Sequence, residues 1–368
     1  MIPVNEPKIY KEMYSLTKQA IASGWLSREG SMVKTFEEKF IHYIGMNYGA
    51  ATNSGTAALH LAIAALGITK GDEVIVPSLT IASCYFAVLY TGATVVPVDI
   101  DGETYTMNPS LIERAITKHT KAIMPVHLYG HPCDMDPIMR IAKKHHIYVI
   151  EDAAEAHGST YKGKRVGSFG DISIFSFYTN KIVTSGEGGM ILTNKKSIYD
   201  KILHLKNLSH SKGRRFIHDA IGYTYHMTNV QAALGLASFK HIQESIQKKQ
   251  SMAALYNKGL QDIQGISLPK IQPWATSIYW MYAIRINKKE FGLDRDTVMK
   301  RLASLGIQTR TFFFSPKTAY KKLHLFQNKS FPVAERVEKE GLYIPSGLAT
   351  STKDMKKVIG ALRSLQSS

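Results

Sequence analysis

Between residues 72 and 150 the chain alternates short apolar runs with amphipathic segments, and that alternation limits its fold more than any other feature. Residues 72–77, 93–98, 121–127 and 147–150 read as strands, and residues 81–90, 109–116 and 137–145 as the helices between them. Short strands separated by helices predict an α/β architecture: a mixed, mostly parallel sheet with helices on both faces. Sheets of this kind bind ligands beyond the carboxyl ends of their strands. His127 and Asp152 both fall at such ends.

The fourth run stops in Glu151-Asp152. Two more strand-like runs follow, at 171–177 and 189–193, with Lys181 between them. The lysine is followed by Thr184-Ser185-Gly186-Glu187-Gly188-Gly189, too rich in glycine for a helix or regular strand. A carboxylate at a strand end and a lysine on a nearby turn are the two protein groups a pyridoxal phosphate enzyme requires. The amine condenses with the cofactor aldehyde, and the carboxylate keeps the pyridine nitrogen protonated so that the ring accepts electrons. Taken singly, such a lysine is a solvated charge and such an aspartate a turn or helix cap. Upstream, Ala51-Thr52-Asn53-Ser54-Gly55-Thr56-Ala57 is a turn that opens into a helix over 57–66. Its backbone N–H groups and the positive end of the helix dipole suit a phosphate. Gly55 permits close approach, and Thr56 adds a hydroxyl donor.

Together with these pieces, Phe175-Ser176-Phe177-Tyr178-Thr179-Asn180-Lys181 and Gly186-Glu187-Gly188-Gly189 resemble the DegT/DnrJ/EryC1/StrS family, the sugar aminotransferases of fold type I. The resemblance runs from Ile2-Pro3-Val4 to the C-terminal helix. It implies a large cofactor-binding domain over residues 1–249 and a smaller α+β domain over 250–368. It also implies pyridoxal 5'-phosphate held by Lys181 and Asp152, with the phosphate on Gly55, Thr56 and Ser176. Glu155 takes the place near the cofactor hydroxyl where many relatives carry Gln. Asn229 is expected to reach the cofactor phosphate of a neighbouring subunit, which makes the protein a homodimer with shared active sites. Without the family, Thr228 or Asn229 is simply a helix cap and Ser176 a strand serine bonded to backbone. Ser23-Gly24-Trp25-Leu26-Ser27 lies near the active site and subunit interface in the family, and is otherwise a surface turn. Relatives stack an aromatic ring on the cofactor just after Pro77-Ser78. Here Leu79-Thr80-Ile81 is not aromatic, which leaves Tyr85 or Phe86, one turn on, or a non-aromatic side chain at that spot as candidates.

The resemblance further implies transfer of an amino group from L-glutamate to C4 of a nucleotide-linked 4-keto-6-deoxy sugar. His127-Leu128-Tyr129-Gly130 and residues 151–157 look most like the branch acting on GDP-4-keto-6-deoxymannose, with UDP- and dTDP-linked sugars as alternatives. Relatives that remove a hydroxyl instead, as 3-dehydratases, carry histidine in place of the lysine. Histidine carries a proton but forms no imine, so Lys181 disfavours that chemistry. Intact Lys181 and Asp152 also disfavour a non-catalytic regulatory member.

Composition narrows the setting. An apolar content of 44% with 20% charged residues belongs to a globular chain. Two cysteines give neither a disulfide framework nor a metal site and suit a reducing cytoplasm. No signal peptide and no apolar run of membrane-spanning length is evident, so no membrane insertion is expected. The net charge of +17 suits a polyanion or a doubly negative small molecule. Residues 195–215 carry seven lysines and arginines against one aspartate. They lack interleaved aromatics, and no helix-turn-helix or zinc-finger spacing is present, so a sugar nucleotide is favoured over nucleic acid. At the two ends of the chain, one helix over 34–44, a long helix from 230 towards 263, strands at 280–286 and 309–314, and helices at 295–305 and 353–365 complete the reading.

Overall fold

The computed structural model describes residues 1–366. Its main sheet contains β1 (Tyr48–Thr52), β2 (Glu73–Pro77), β3 (Thr94–Val98), β4 (Thr120–Ile123) and β5 (Tyr148–Asp152). After a small hairpin of β6 (Thr160–Tyr161) and β7 (Lys164–Arg165), β8 (Ile172–Ser176) and β9 (Gly189–Thr193) complete it. The order is β1-β9-β8-β5-β4-β2-β3, and β9 alone runs against the rest. Every residue of β8 and β9 is buried, the near-continuous apolar run of a sheet covered on both faces.

Strand parity shows how both faces are covered. Side chains alternate along β8, so Phe175 and Phe177 point one way and Ser176 the other. Phe175 and Phe177 pack against Phe40 of α2 (Ser31–Ile44), with ring centroids 4.9 and 5.1 Å apart. Ser176 lies against the start of α3 (Gly55–Ala65) on the opposite face. Edge-to-face aromatic pairs of this kind add about 0.5–1.5 kcal/mol each beyond their buried area.

The helices depart from the sequence reading in several places, among them unread helices at Lys196–Lys206 and Pro332–Glu340. An unpredicted helix, α1 (Lys11–Ala22), precedes α2. It has no side-chain cap, and its apolar residues are divided between an inner face with Met13, Leu16 and Ala20 and an exposed one with Tyr14 and Ile21, so no single stripe marks it. The segment 109–116 forms two 3-10 turns instead of an α-helix, because Asn108 caps the first and hydroxyl-rich Thr117–Thr120 draws the following backbone into a turn. The long C-terminal helix of the large unit is divided. After α4 (Ala82–Tyr90), α5 (Met135–His145) and α6 (Lys196–Lys206) come α7 (Asn229–Phe239) and α8 (Ile242–Leu260). The break coincides with His241, whose ring stacks on Tyr10 with centroids 4.0 Å apart and bonds Glu12 and Glu244.

Between α6 and α7 a hairpin of β10 (His210–Ser211) and β11 (Arg214–His218) projects. A second, antiparallel sheet holds β12 (Ile266–Ser267), β14 (Tyr282–Ile286), β15 (Arg310–Thr311) and β16 (Gly341–Ile344), in the order β12-β14-β16-β15. β13 (Ala275–Thr276) joins the small hairpin β6–β7. The predicted strand at 309–314 is thus only two residues long. This sheet has its own core, with Tyr256, Ile284, Val298, Leu342 and Val358. Helix α8 passes straight through residues 249 and 250, giving Ile246 to the first core and Tyr256 to the second. Among the described residues no helix is long and apolar enough to cross a membrane.

Candidate active site

A cavity of 390 Å³ opens at the carboxyl ends of β5 and β8. The main sheet and its loops contribute Gly55, Thr56, Asp152, Glu155, Ser176 and Lys181 to its lining. The second sheet side contributes Trp280, Arg310, Phe313 and Tyr343. Six of the seven residues picked out from the sequence therefore meet in one space.

Lys181 sits on the loop between β8 and β9, its backbone N–H bonded to the Tyr178 carbonyl at 2.9 Å. Its amine lies 3.6 Å from Glu155 Oε1 and 3.6 Å from the centre of the Trp280 ring. Burial lowers the lysine pKa, opposed by the charges of Glu155 and Asp152. Burial likewise raises Glu155 to about 7, while Lys181 and the Tyr129 N–H, 2.9 Å from Oε2, favour its ionised form. Desolvation thus pushes both partners of this pair toward their neutral forms.

Asp152 is 2% exposed. Its Oδ1 accepts the Ala154 N–H at 3.0 Å, and its Oδ2 accepts from the Cys84 thiol at 3.1 Å. Burial raises its pKa against those bonds. Glu151, one residue earlier, points to the other face of the sheet, as strand alternation requires. There it accepts the N–H groups of Gly167, Phe169 and Gly170 and the ring of His127. His127 Nδ1 accepts the Cys133 N–H at 2.9 Å, so its proton is on Nε2, facing Glu151. His127 and Glu151 thereby fasten a loop and take no part in the cavity.

The phosphate-type turn has the expected form. The Ser54 hydroxyl caps α3 by accepting the Ala57 N–H at 3.1 Å, which leaves other first-turn donors for a ligand. The Thr56 and Ser83 hydroxyls are 2.7 Å apart at the cavity wall. Two glycines allow the close packing. A Cβ on Gly55 would stand 2.9 Å from Ser176 Cβ, and one on Gly189 would stand 2.5 Å from the Ser54 carbonyl oxygen.

Asn229 is not among the residues lining this cavity. Its amide donates to the Trp25 carbonyl at 2.8 Å and accepts the Met32 N–H at 3.0 Å, so it ties down the Ser23–Ser27 turn of its own chain. Thr228 is the helix cap, with Gln231 completing a capping box. Neither Tyr85 nor Phe86 reaches the cavity. Tyr85 bonds the Pro77 carbonyl and packs on Tyr320, and Phe86 also packs on Tyr320. Ile81 and Ser83 line the wall in their place. Residues on one turn of a helix differ in direction by about 100° each, so Tyr85 and Phe86 are swung into the core.

Trp280 and Cys84 went unnoticed in the sequence as site residues. Trp280 reads as the start of a strand, and its place over Lys181 depends on contacts distant in sequence. Its indole N–H bonds the Asn180 carbonyl at 2.9 Å, and its own carbonyl accepts from the buried Lys249 at 2.7 Å. No local pattern reports such contacts.

The chain matches the DegT/DnrJ/EryC1/StrS aminotransferase family over residues 7–363. It is 43% identical to a GDP-perosamine synthase from Escherichia coli O157:H7, covering 94% of this chain and 93% of that one. It is 39% identical to a GDP-perosamine synthase from Caulobacter vibrioides, covering 98% and 97%. Among solved structures, the aminotransferase TlmJ from Streptoalloteichus hindustanus superposes with a TM-score of 0.92 at 28% identity, covering 100% and 99%. The cavity fits the cofactor of such enzymes: a largely buried lysine amine, a buried carboxylate and a helix N-terminus flanked by hydroxyl groups all face one space. The buried Asn180 amide oxygen on its wall also has no protein partner. The chain belongs to the DegT/DnrJ/EryC1/StrS aminotransferase family, and its cofactor is pyridoxal phosphate.

Proposed function

We propose that this enzyme moves the amino group of L-glutamate to C4 of GDP-4-keto-6-deoxymannose, releasing 2-oxoglutarate and GDP-perosamine. The observation that carries aminotransfer is the buried Lys181 amine in one cavity with Asp152. The choice of sugar is supported by the likeness to two GDP-perosamine synthases across nearly the whole chain.

Pyridoxal phosphate, when bound, supplies an electron-accepting ring that makes the Cα proton of an amino acid acidic. In this reading Lys181 Nζ holds the cofactor before the donor arrives. It then carries the proton from Cα of the donor, a task for which burial prepares it by favouring the free amine. Asp152 keeps a proton on the ring nitrogen. Gly55, Thr56 and Ser176 bind the phosphate at the start of α3, and Glu155 meets the cofactor hydroxyl. Trp280 covers the Lys181 amine and keeps water from it. Arg310, a cation in the cavity wall, faces the anionic substrates.

We take residues 1–249 as the cofactor-binding unit and 250–368 as the smaller unit that closes the cavity. The protein is read as a cytoplasmic homodimer. Exposed Ile9, Tyr14 and Ile21 around α1 and exposed Trp25 and Leu26 beside it support a covering second copy. Asn229 supports that surface by holding the Trp25 turn, and sharing of the site would run through this turn.

Mass spectrometry after incubation with L-glutamate, pyridoxal phosphate and GDP-, UDP- and dTDP-4-keto-6-deoxy sugars tests the assignment. The expected result is an amino sugar from the GDP substrate alone. Amination of only a UDP or dTDP sugar would correct the substrate, and loss of oxygen without gain of nitrogen would overturn aminotransfer. Lys181→Ala is expected to abolish turnover and leave the fold intact, and appreciable amino transfer by that variant would remove Lys181 from the mechanism.

A further inference from the structure

Beside Asp152, outside the cavity lining, stands a chain of two small polar side chains. Cys84 lies in the first turn of α4, fully buried, with Sγ 3.1 Å from Asp152 Oδ2. Thr80, also buried, has its hydroxyl 3.2 Å from Cys84 Sγ. Neither residue lines the cavity. A thiol carries one hydrogen, and an ionised carboxylate only accepts. The direction is therefore determined: Cys84 donates to Asp152, and Thr80 donates to the Cys84 sulfur. Burial and the charge of Asp152 both push the Cys84 thiol pKa well up, so the sulfur keeps its hydrogen.

We propose that Cys84, oriented by Thr80, is a positioning residue that holds Asp152 Oδ2 and moderates how firmly this carboxylate retains its charge. With Oδ1 held by the Ala154 N–H, the thiol completes a two-point clamp on the carboxylate plane. A thiol is a weak donor. It aligns the oxygen while withdrawing little of the negative charge that Asp152 offers to a protonated ring nitrogen. The inference rests on the assignment of Asp152 to that nitrogen.

The test uses the full-length, cofactor-loaded enzyme. Infrared spectroscopy follows the S–H stretching band, with the second buried thiol, Cys133, which donates to the Val126 carbonyl at 3.1 Å, as internal reference. Asp152→Asn is expected to move the Cys84 band to higher frequency and leave the Cys133 band in place. Cys84→Ala is expected to lower kcat about three- to ten-fold, the loss of one modest hydrogen bond, with KM for both substrates unchanged. It should also shift the pH at which the cofactor absorption changes. Cys84→Ser restores a donor and should bring kcat back to within about two-fold of the native value. Should Cys84→Ala fail to fold, Thr80→Val probes the same chain through the infrared band and the absorption titration. A Cys84 band indifferent to Asp152→Asn, or Ala and Ser variants with equal kcat and titration, overturns the proposal. The two readings fail separately. A fully active Asp152→Asn enzyme would remove the role of Asp152 itself. An inactive Asp152→Asn beside a native-like Cys84→Ala would remove only that of Cys84.

Discussion

Replacing Glu155 by Gln isolates the charge that faces the Lys181 amine. At 3.6 Å, a full carboxylate in surroundings of effective dielectric constant near 20 stabilises an ammonium by about 4–5 kcal/mol. Gln preserves the shape, and its carbonyl can still accept the Tyr129 N–H. In the native chain the charge forms as pH rises through about 7, where burial places Glu155. The new carboxylate then draws Lys181 back toward the ammonium, so the two groups titrate as a pair. In the variant Lys181 responds chiefly to burial and to Asp152, and its free amine persists to lower pH. Stopped-flow absorbance of pyridoxal phosphate uptake by cofactor-free protein reads the free-amine fraction directly. Glu155→Gln should take up cofactor about ten-fold faster or more above neutrality, with no inflection near pH 7. Identical profiles for the two proteins would refute the coupling. Slower uptake by the variant at every pH would mean that the carboxylate activates the amine instead of restraining it.

Other expectations concern the frame around the site. Burial lowers Lys249 to about 7 from the ordinary 10.5, and among the described residues its amine bonds only the Trp280 and Ser346 carbonyls. Between those values the unfolded chain binds a proton that the folded chain does not. Stability should therefore rise with pH by about 1.4 kcal/mol per unit in that window and be lost as pH falls through 7. Urea unfolding of Lys249→Met across the window should lack this contribution, and an unchanged slope would count against it. Gly55→Ala places a Cβ 2.9 Å from Ser176 Cβ and should weaken cofactor binding by about ten-fold in equilibrium dialysis, whereas unaltered affinity would show that α3 can shift freely. Glu151→Gln leaves three backbone N–H groups and His127 competing for one acceptor, at a cost of about 3–5 kcal/mol in urea unfolding. A loss under about 1 kcal/mol would mean that this carboxylate is not the fastening of the 167–170 loop.

Much of the frame was legible because it is local. The strands β2 to β5, β8 and β9 have apolar runs bounded by polar or glycine-rich turns, and the cavity residues of the large sheet lie on those turns or at strand ends. Ser54 announces α3 by its own hydroxyl, and Lys181 stands between two readable strands. What escaped was set by contacts far apart in sequence. Helix α1 divides its apolar residues between an inner and an exposed face, and the break between α7 and α8 coincides with a histidine stacked on Tyr10. Trp280 gains its position from Asn180 and Lys249, 100 and 31 residues away.

The neighbouring acids Glu151 and Asp152 show the division most clearly. The sequence alone placed a pair of carboxylates at the end of a buried strand and a lysine on the next loop but one. Strand alternation then requires that one acid face each side of the sheet, yet it does not say which side holds the cavity. Tertiary packing decided that, by laying α3 and α4 against one face and the 167–170 loop against the other. The same packing put a cysteine behind one carboxylate and four hydrogen-bond donors around its neighbour. Periodicity is a property of the local backbone, whereas the environment of a side chain is a sum over segments that only folding brings together.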